Sequence, residues 1–383
     1  MSLKQIAKQI YFEGKVHALR RQPKRGRPSV MIFPSNQPWD PASHLRAWLV
    51  APELEKLGWR VVIVPEPLSL RQRQRIIRLE KPEVLLLQQT RHPMNQPGLY
   101  PGLPCVLDAD DGDYLDPRYQ KRIAQIAADA TLVIGGSRFV ASCLARHNPE
   151  AHVLWTCTPR PMSTPAIAPE SRADVVAWAH ATPLKYPHEA EFVQEAMRLV
   201  ALRRHCEFWL FGSEESRAKD WFAPIRAAGV TCIAIPPLDY PSYLSRVSAA
   251  AIGLQPIAPE NAFSQGKSFG KLLAYLGGQV TVVASRSVDH PVFFQHGVNG
   301  LLPGHSPEEW AEAILALLDD RSLRCRIGIQ GWHDFNARLT TSIFASLLDP
   351  ILRKAAGLPL DPSQNALLSK TRLRAATDSV CTR

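Results

Sequence analysis

Short apolar runs rich in valine, isoleucine and leucine alternate along this chain with longer stretches of helical periodicity. The runs predict strands at 29–34, 59–65, 84–89, 104–111, 130–135, 151–155, 174–180, 208–213, 231–235, 250–254 and 280–284. Most are apolar throughout rather than alternating, the pattern of strands covered on both faces. Between them, apolar positions recur at helical spacing over 43–57, 71–79, 118–128, 139–147, 190–203, 268–276, 307–318 and 328–354. Strand and helix in steady alternation predict an α/β fold of parallel, doubly wound sheets, in which ligands gather at the carboxyl ends of the strands.

One break in this rhythm divides the chain. The stretch 157–173 is rich in proline, serine, threonine and alanine and has no apolar period, so a linker is expected at 159–173. It separates a first Rossmann-like domain at 29–158 from a second at 174–332, with a helix at 333–356 expected to cross back to the first. Residues 357–383 lack a clear apolar face and read as a mobile tail. Residues 1–28 read as a basic helix and linker, with Leu3, Ile6, Ile10, Tyr11, Val16 and Leu19 interspersed with lysine and arginine. That pattern suits either a peripheral helix packed on its own domain or contact with an anionic membrane surface.

Composition narrows the class. The chain has 383 residues, 45% of them hydrophobic, and a net charge of +10. No run of about eighteen or more apolar residues occurs, so no transmembrane helix is expected. The N-terminus lacks an apolar core followed by a small-residue cleavage site, which argues against secretion. The 7 cysteines are scattered without a C-x-x-C pair. A disulfide framework and a zinc site are therefore not expected, and a reducing cytoplasm fits best, with a position peripheral to the inner membrane face as a further option. The basic surplus is not interleaved with stacking aromatics on one element, so a nucleic-acid partner is not expected.

The chemistry concentrates in 252–303, where a strand, a polar loop, a helix and a second strand follow one another. Ser268 is a plausible N-cap for a helix bearing Phe269, Leu272, Leu273, Tyr275 and Leu276, and Gly277 and Gly278 end it. Lys267 before this helix and Lys271 one turn inside it make a ready anion site, because exposed N–H groups and the helix dipole favour phosphate. A plain crossover with solvated lysines has the same spacing.

The same stretch resembles the donor-binding segment of the retaining nucleotide-sugar glycosyltransferases of family 4, which adopt the GT-B fold of two Rossmann-like domains facing each other across a cleft. The resemblance rests on Phe263, Lys267, Ser268, Lys271, Leu273, Tyr275, the Val283–Ala284–Ser285 run and the His296 to Leu302 run HGVNGLL. Pro256 fits with one extra loop residue, and Ser264 stands where the family has asparagine. The family's paired glutamates fall on Gly266 and Ala274, so this chain is identified as a divergent member lacking them. The resemblance implies transfer of a sugar from a nucleotide diphosphate sugar to a glycan or lipid-linked acceptor, with no metal and no cofactor beyond that co-substrate. It places Lys267, Ser268, Lys271 and Ser264 at the donor. It adds Lys185 and His180, which hold the five-residue spacing of the family's lysine and arginine. Gly212 and Ser213, at the end of a neighbouring strand, are candidates for the base or ribose.

In the first domain, Ser43 and Arg46 resemble the S-x-x-R opening of the same branch, and so stand as acceptor-binding candidates. A helix turn capped by Ser43 is the alternative. The Asp108 to Asp113 run resembles the branch's D-x-D-D, making Asp110 and Asp111 candidates to orient acceptor hydroxyls or take up a proton. A metal-binding pair and a capped acidic turn are the competing readings. Two further functions stay open: a non-catalytic protein of the same architecture that binds a nucleotide sugar or a partner, and a sugar-nucleotide epimerase.

Overall fold

The computed structural model describes residues 10–14, 16–17, 26–88, 91–159, 167–267, 269–287 and 289–373. The chain divides into two compact units, Met1–Pro159 with Thr341–Arg383, and Arg160–Thr340.

The first unit is built on a six-stranded sheet in the order β2-β1-β3-β4-β5-β6. These strands are β1 (Ser29–Phe33), β2 (Arg60–Ile63), β3 (Val84–Gln88), β4 (Cys105–Ala109), β5 (Leu132–Gly135) and β6 (Ala151–Val153). Every neighbouring pair is parallel. Side chains alternate across such a sheet. Val30, Ile32, Val84 and Leu86 accordingly enter one core with Leu54, Phe344, Leu348 and Ile351. Met31, Phe33, Leu85 and Leu87 enter another with Phe12, Val16 and Ile76. Both faces are covered, which is why the strands read as unbroken apolar runs.

The chain returns to this unit at Thr341, whose N–H donates to the carbonyl of Thr158 at 3.0 Å. The helix expected over 328–354 is two helices, Arg321–Arg338 and Thr341–Ala355, each in a different unit. Trp59 donates its indole N–H to Asp349 at 2.7 Å, and Arg353 meets the same carboxylate at 2.7 Å. The tail expected over 357–383 is corrected at 362–371, while 374–383 lie outside the described residues. It carries a helix, Pro362–Thr371, opened by a reciprocal capping box between Asp361 and Gln364. Gln364 also donates to Asp349 at 2.7 Å, and Thr371 hydrogen-bonds His152 at 3.0 Å. At the N-terminus, the described part of the basic helix buries Phe12 and Val16 in its own unit and leaves Ile10 and Tyr11 exposed.

The second unit has a five-stranded parallel sheet in the order β11-β10-β7-β8-β9. Its strands are β7 (Val175–Trp178), β8 (Glu207–Phe211), β9 (Thr231–Ile235), β10 (Ile252–Gln255) and β11 (Thr281–Ala284). Val176, Trp178, Phe208 and Leu210 pack with Val193 and Met197 of helix Pro187–Ala201 and with Trp310 and Ile314 of helix Pro307–Asp319. Arg172, inside the expected linker, belongs to this unit. It is buried, and its guanidinium donates to the carbonyls of Gln279 at 2.7 Å and Gly278 at 2.5 Å, closing the end of helix Leu272–Gly277. Burial lowers its pKa to about 10. Among the described residues, no helix is long and apolar enough to cross a membrane.

Candidate functional site

In the second unit the strand order reverses between β7 and β10. Loops leaving neighbouring strands at such a point run to opposite faces of the sheet and open a crevice between them. Here those loops are Ala179 to Tyr186 and Pro256 to Lys271, which hold most of the donor-binding candidates. Tyr275 ties the two strands together beneath the loops. Its phenol accepts the N–H of Ala179 at 2.6 Å and donates towards the carbonyls of Ala177 and Leu254, at 3.0 and 3.3 Å. The ring lies against Gly253, where an added Cβ would come within 2.4 Å of it. Burial holds the phenol neutral, with its pKa raised well above the usual value.

His180 is half-buried where β7 ends, with its ring 4.5 Å from that of Tyr186. Its Nδ1 accepts the N–H of Thr182 at 3.0 Å. Burial first, and then the charges of Lys271 and Lys267, push its pKa down to about 2. His180 is therefore neutral, and it brings no positive charge of its own to an anion. Gly212 closes on the same loop from β8. Its φ is +79°, and a Cβ there would stand 2.0 Å from the carbonyl oxygen of His180. Ser213, next to it, is buried, and its hydroxyl donates to the carbonyl of Glu214 at 3.4 Å.

Lys267 is mostly buried, with its ammonium 3.8 Å above the ring of Tyr186 and 3.8 Å from Glu189. Lys271 is half-buried in the 3₁₀ turn Phe269–Lys271. Lys185 is exposed on another 3₁₀ turn, Pro183–Lys185. Ser268 lies outside the described residues. The α-helix itself begins at Leu272, and its N-cap position, Lys271, makes no side-chain cap. A helix dipole aimed from Ser268 is thus replaced by a tighter turn leading into a short helix.

Ser264 is corrected. It is fully buried, and its hydroxyl donates to Glu189 rather than facing a ligand. Glu189, in the first turn of helix Pro187–Ala201, had no mark in the sequence to separate it from an ordinary solvated helix acid. It is 2% exposed. Only tertiary packing places it against the loop after β10, where the N–H of Ala258 also approaches at 3.5 Å. Gly266 and Ala274 leave no carboxylate at the two positions where the resemblance would have one.

In the first unit, Ser43 and Arg46 are also corrected. The expected helix at 43–57 is a short helix Pro41–Ser43 capped by Asp40, a π-helical turn His44–Trp48 and a helix Ala51–Lys56. The wide turn carries Leu45, Arg46 and Ala47 in succession into the interior. Arg46 is 1% exposed. It pairs in a fork with Asp108 of β4, its Nε 3.0 Å from Oδ2 and its Nη2 on Oδ1. It also donates to the carbonyl of Leu154 at 3.0 Å and the hydroxyl of Thr156 at 3.2 Å. Burial opposes its charge, but Asp108 outweighs that and raises its pKa. Ser43 is fully buried and accepts the N–H of Asn36 at 3.0 Å. Neither side chain is available to an acceptor.

Asp110 is buried and Asp111 half-exposed, where β4 ends. Gly136 follows β5 so closely that a Cβ there would lie 2.6 Å from the Cα of Asp110. Arg91, which the sequence did not single out, holds Asp113 at 2.8 Å and stands 3.7 Å from Asp111. Its hydrogen bond to Asp113, together with the charges of Asp111 and Asp110, raises its own pKa. The acidic run is thus partly neutralised by an arginine. Among the described residues, no group of three or more His, Cys, Asp or Glu side chains is placed to hold a metal ion.

No family profile and no curated protein sequence matches the chain. Solved structures do. HepE from Anabaena, in complex with UDP and glucose, superposes with a TM-score of 0.64 at 13% identity, over 85% of this chain and 100% of that one. Sucrose-phosphate synthase from Thermosynechococcus elongatus gives 0.63 at 12%, over 86% and 99%. An α-glucosyltransferase in complex with UDP-glucose and DNA containing an abasic site gives 0.60 at 14%, over 85% and 99%.

The chain has the GT-B fold. At these identities the likeness is one of architecture. Within a GT-B chain, the crevice between β7 and β10 belongs to the unit that follows the linker, and it is there that Lys267, Lys271 and His180 come together.

Proposed function

We propose that this protein is a glycosyltransferase that moves a sugar from a nucleotide diphosphate sugar to a glycan or lipid-linked acceptor. The observation that carries the reading is that Lys267, over the ring of Tyr186, and His180, packed edge-on against the same ring, meet where the sheet order reverses, with Lys271 on the same loop as Lys267. Breaking the bond between sugar and diphosphate leaves growing negative charge on the leaving phosphate. Fixed ammonium groups in a partly dehydrated crevice attract that charge more strongly as it develops, which lowers the barrier without covalent catalysis. On this reading no metal is required, and retention of the anomeric configuration comes only from the family resemblance. Structures of the same fold crystallised with UDP and with UDP-glucose support a nucleotide-sugar ligand. Asp110 and Asp111 would orient acceptor hydroxyls. Assembly of a surface polysaccharide, and a peripheral position on the inner membrane face, suit such an acceptor.

The replacement of both family glutamates favours a second reading, a protein that binds the nucleotide sugar without transferring it. A thermal-shift screen over nucleoside diphosphate sugars tests binding, since a ligand at about 100 times its Kd stabilises the folded state by roughly 2.7 kcal/mol. Absence of any shift defeats both readings. A shift without release of nucleoside diphosphate, whatever the acceptor, leaves the second.

A further inference from the structure

Tyr186 joins the two loops of the crevice, belonging to the first and meeting Lys267 of the second. Its backbone is held on both sides. The N–H donates to the carbonyl of Pro183 at 3.1 Å, closing the turn Pro183–Lys185, and the carbonyl accepts the N–H of Ala190 at 2.9 Å, opening helix Pro187–Ala201. The ring is thereby carried to Lys267, whose ammonium lies 3.8 Å from its centroid. Neutral His180 packs edge-on against the same ring, so it brings no second cation there.

The ammonium has a competing neighbour. Glu189, in the first turn of that helix and 2% exposed, places Oε1 3.8 Å from it. A charge-assisted hydrogen bond between ammonium and carboxylate closes to about 2.7–2.9 Å, so this pair stands roughly an ångström short of one. The carboxylate has an acceptor to spare. Its Oε1 takes the hydroxyl of Ser264 and the approaching N–H of Ala258, but its Oε2 is buried with no hydrogen-bond partner. Drawing the ammonium in would relieve that unsatisfied acceptor. A direct pair would also spend the charge of Lys267 inside the protein, and an anionic ligand would have to break it. The face of the Tyr186 ring opposes this collapse. Its quadrupole attracts the ammonium without neutralising it, and it fixes a long side chain before any ligand arrives.

We propose that Tyr186 is a positioning residue: its ring holds the ammonium of Lys267 off Glu189 and so keeps that charge available to an anionic ligand. The proposal rests on the donor reading of the loop. Calorimetric titration of the full chain with uridine, guanosine and adenosine diphosphates tests it. Tyr186→Leu weakens the tightest-binding diphosphate about fivefold, the size of one cation–π contact, while Tyr186→Phe, which keeps the ring, stays within about twofold of the wild type. Adding Glu189→Gln to Tyr186→Leu restores the affinity, because no carboxylate is left to capture the ammonium. Should Tyr186→Leu lower the melting temperature, Tyr186→Met takes its place, filling the same space with a flexible apolar chain.

Unchanged affinity in Tyr186→Leu overturns the proposal. So does a loss that Glu189→Gln fails to reverse, which marks a loop that has only lost packing. Equal loss in Tyr186→Phe overturns it by assigning the effect to the hydroxyl. Failure of every diphosphate to bind defeats the donor reading instead, and a crystal structure of Tyr186→Leu then decides the restraint without a ligand. Closure of Lys267 Nζ onto Glu189 to about 2.8 Å sustains it. An ammonium still at its wild-type distance, or turned to solvent, overturns it.

Discussion

At the scale of single residues, environment decides what a polar side chain does. Arg46 and Lys267 are both cations in segments that follow strands, yet one is locked to Asp108 in the interior and the other lies beside Tyr186 and Glu189. Removing one partner of a buried pair strands the other charge, so Arg46→Ala is expected to cost about 3–5 kcal/mol in urea denaturation. Arg46→Lys is expected to recover little, because an ammonium cannot reproduce the fork on Asp108. At Lys271 the expectation is reversed. Lys271→Ala leaves the denaturation midpoint nearly unchanged and weakens nucleotide-sugar affinity roughly tenfold, the loss of one charge-assisted contact. Unchanged affinity by calorimetry would remove Lys271 from the site. The S-x-x-R spacing gave Arg46 a position at the mouth of a strand but not its direction. A widened helical turn set that direction, and no residue pattern in 43–57 announces it.

At the scale of elements, close approach and burial set the limits. Gly212 lets the turn after β8 touch the carbonyl of His180, and an alanine there meets both a positive φ and a contact of 2.0 Å. Gly212→Ala is expected to displace the β7 loop, lowering stability by roughly 1–3 kcal/mol and ligand affinity together. A drop in the melting temperature with ligand affinity intact would show that the loop does not hold the ligand. The helix Pro362–Thr371 gives a pH-dependent case. His152 on β6 is buried against Thr371, and burial, with help from Lys354, pushes its pKa down to about 4. The unfolded chain therefore binds a proton near pH 6.5 that the folded chain refuses until about pH 4. Stability falls as pH drops through this window, by about 1.4 kcal/mol at roughly pH 5.5 for this residue alone. His152→Gln should flatten that part of the melting-temperature profile, and an unaltered slope would count against it. The helix escaped the sequence reading because its apolar contacts are few. Its capping box between Asp361 and Gln364 is the stronger signal of a helix start.

At the scale of the whole molecule, two parallel sheets stand in one chain, each with both faces covered and with the final helices returning to the first unit. This was the most legible level. A strand buried on two sides must be apolar along its whole length, so β1, β3, β5, β7, β8, β10 and β11 announce themselves without any partner in view. Helices between them must cover those faces, which makes the doubly wound arrangement nearly obligatory. Deleting residues 341–383 should therefore expose Val30, Ile32 and Leu86 and cost the first unit its cooperative melting transition. A surviving transition would mean that Phe344, Leu348 and Ile351 are dispensable to that core.

By itself, the sequence determined the alternation of strands and helices and the loop that carries Lys267 and Lys271. Those features depend on local periodicity and on which residues neighbour each other along the chain. Tertiary structure alone decided that Arg46, Ser43 and Ser264 turn inward, that His180 is neutral, and that Glu189 reaches a loop far from it in sequence. Hydrogen bonding, charge state and cavity shape depend on groups from separate segments meeting in space, and linear spacing carries no record of that meeting.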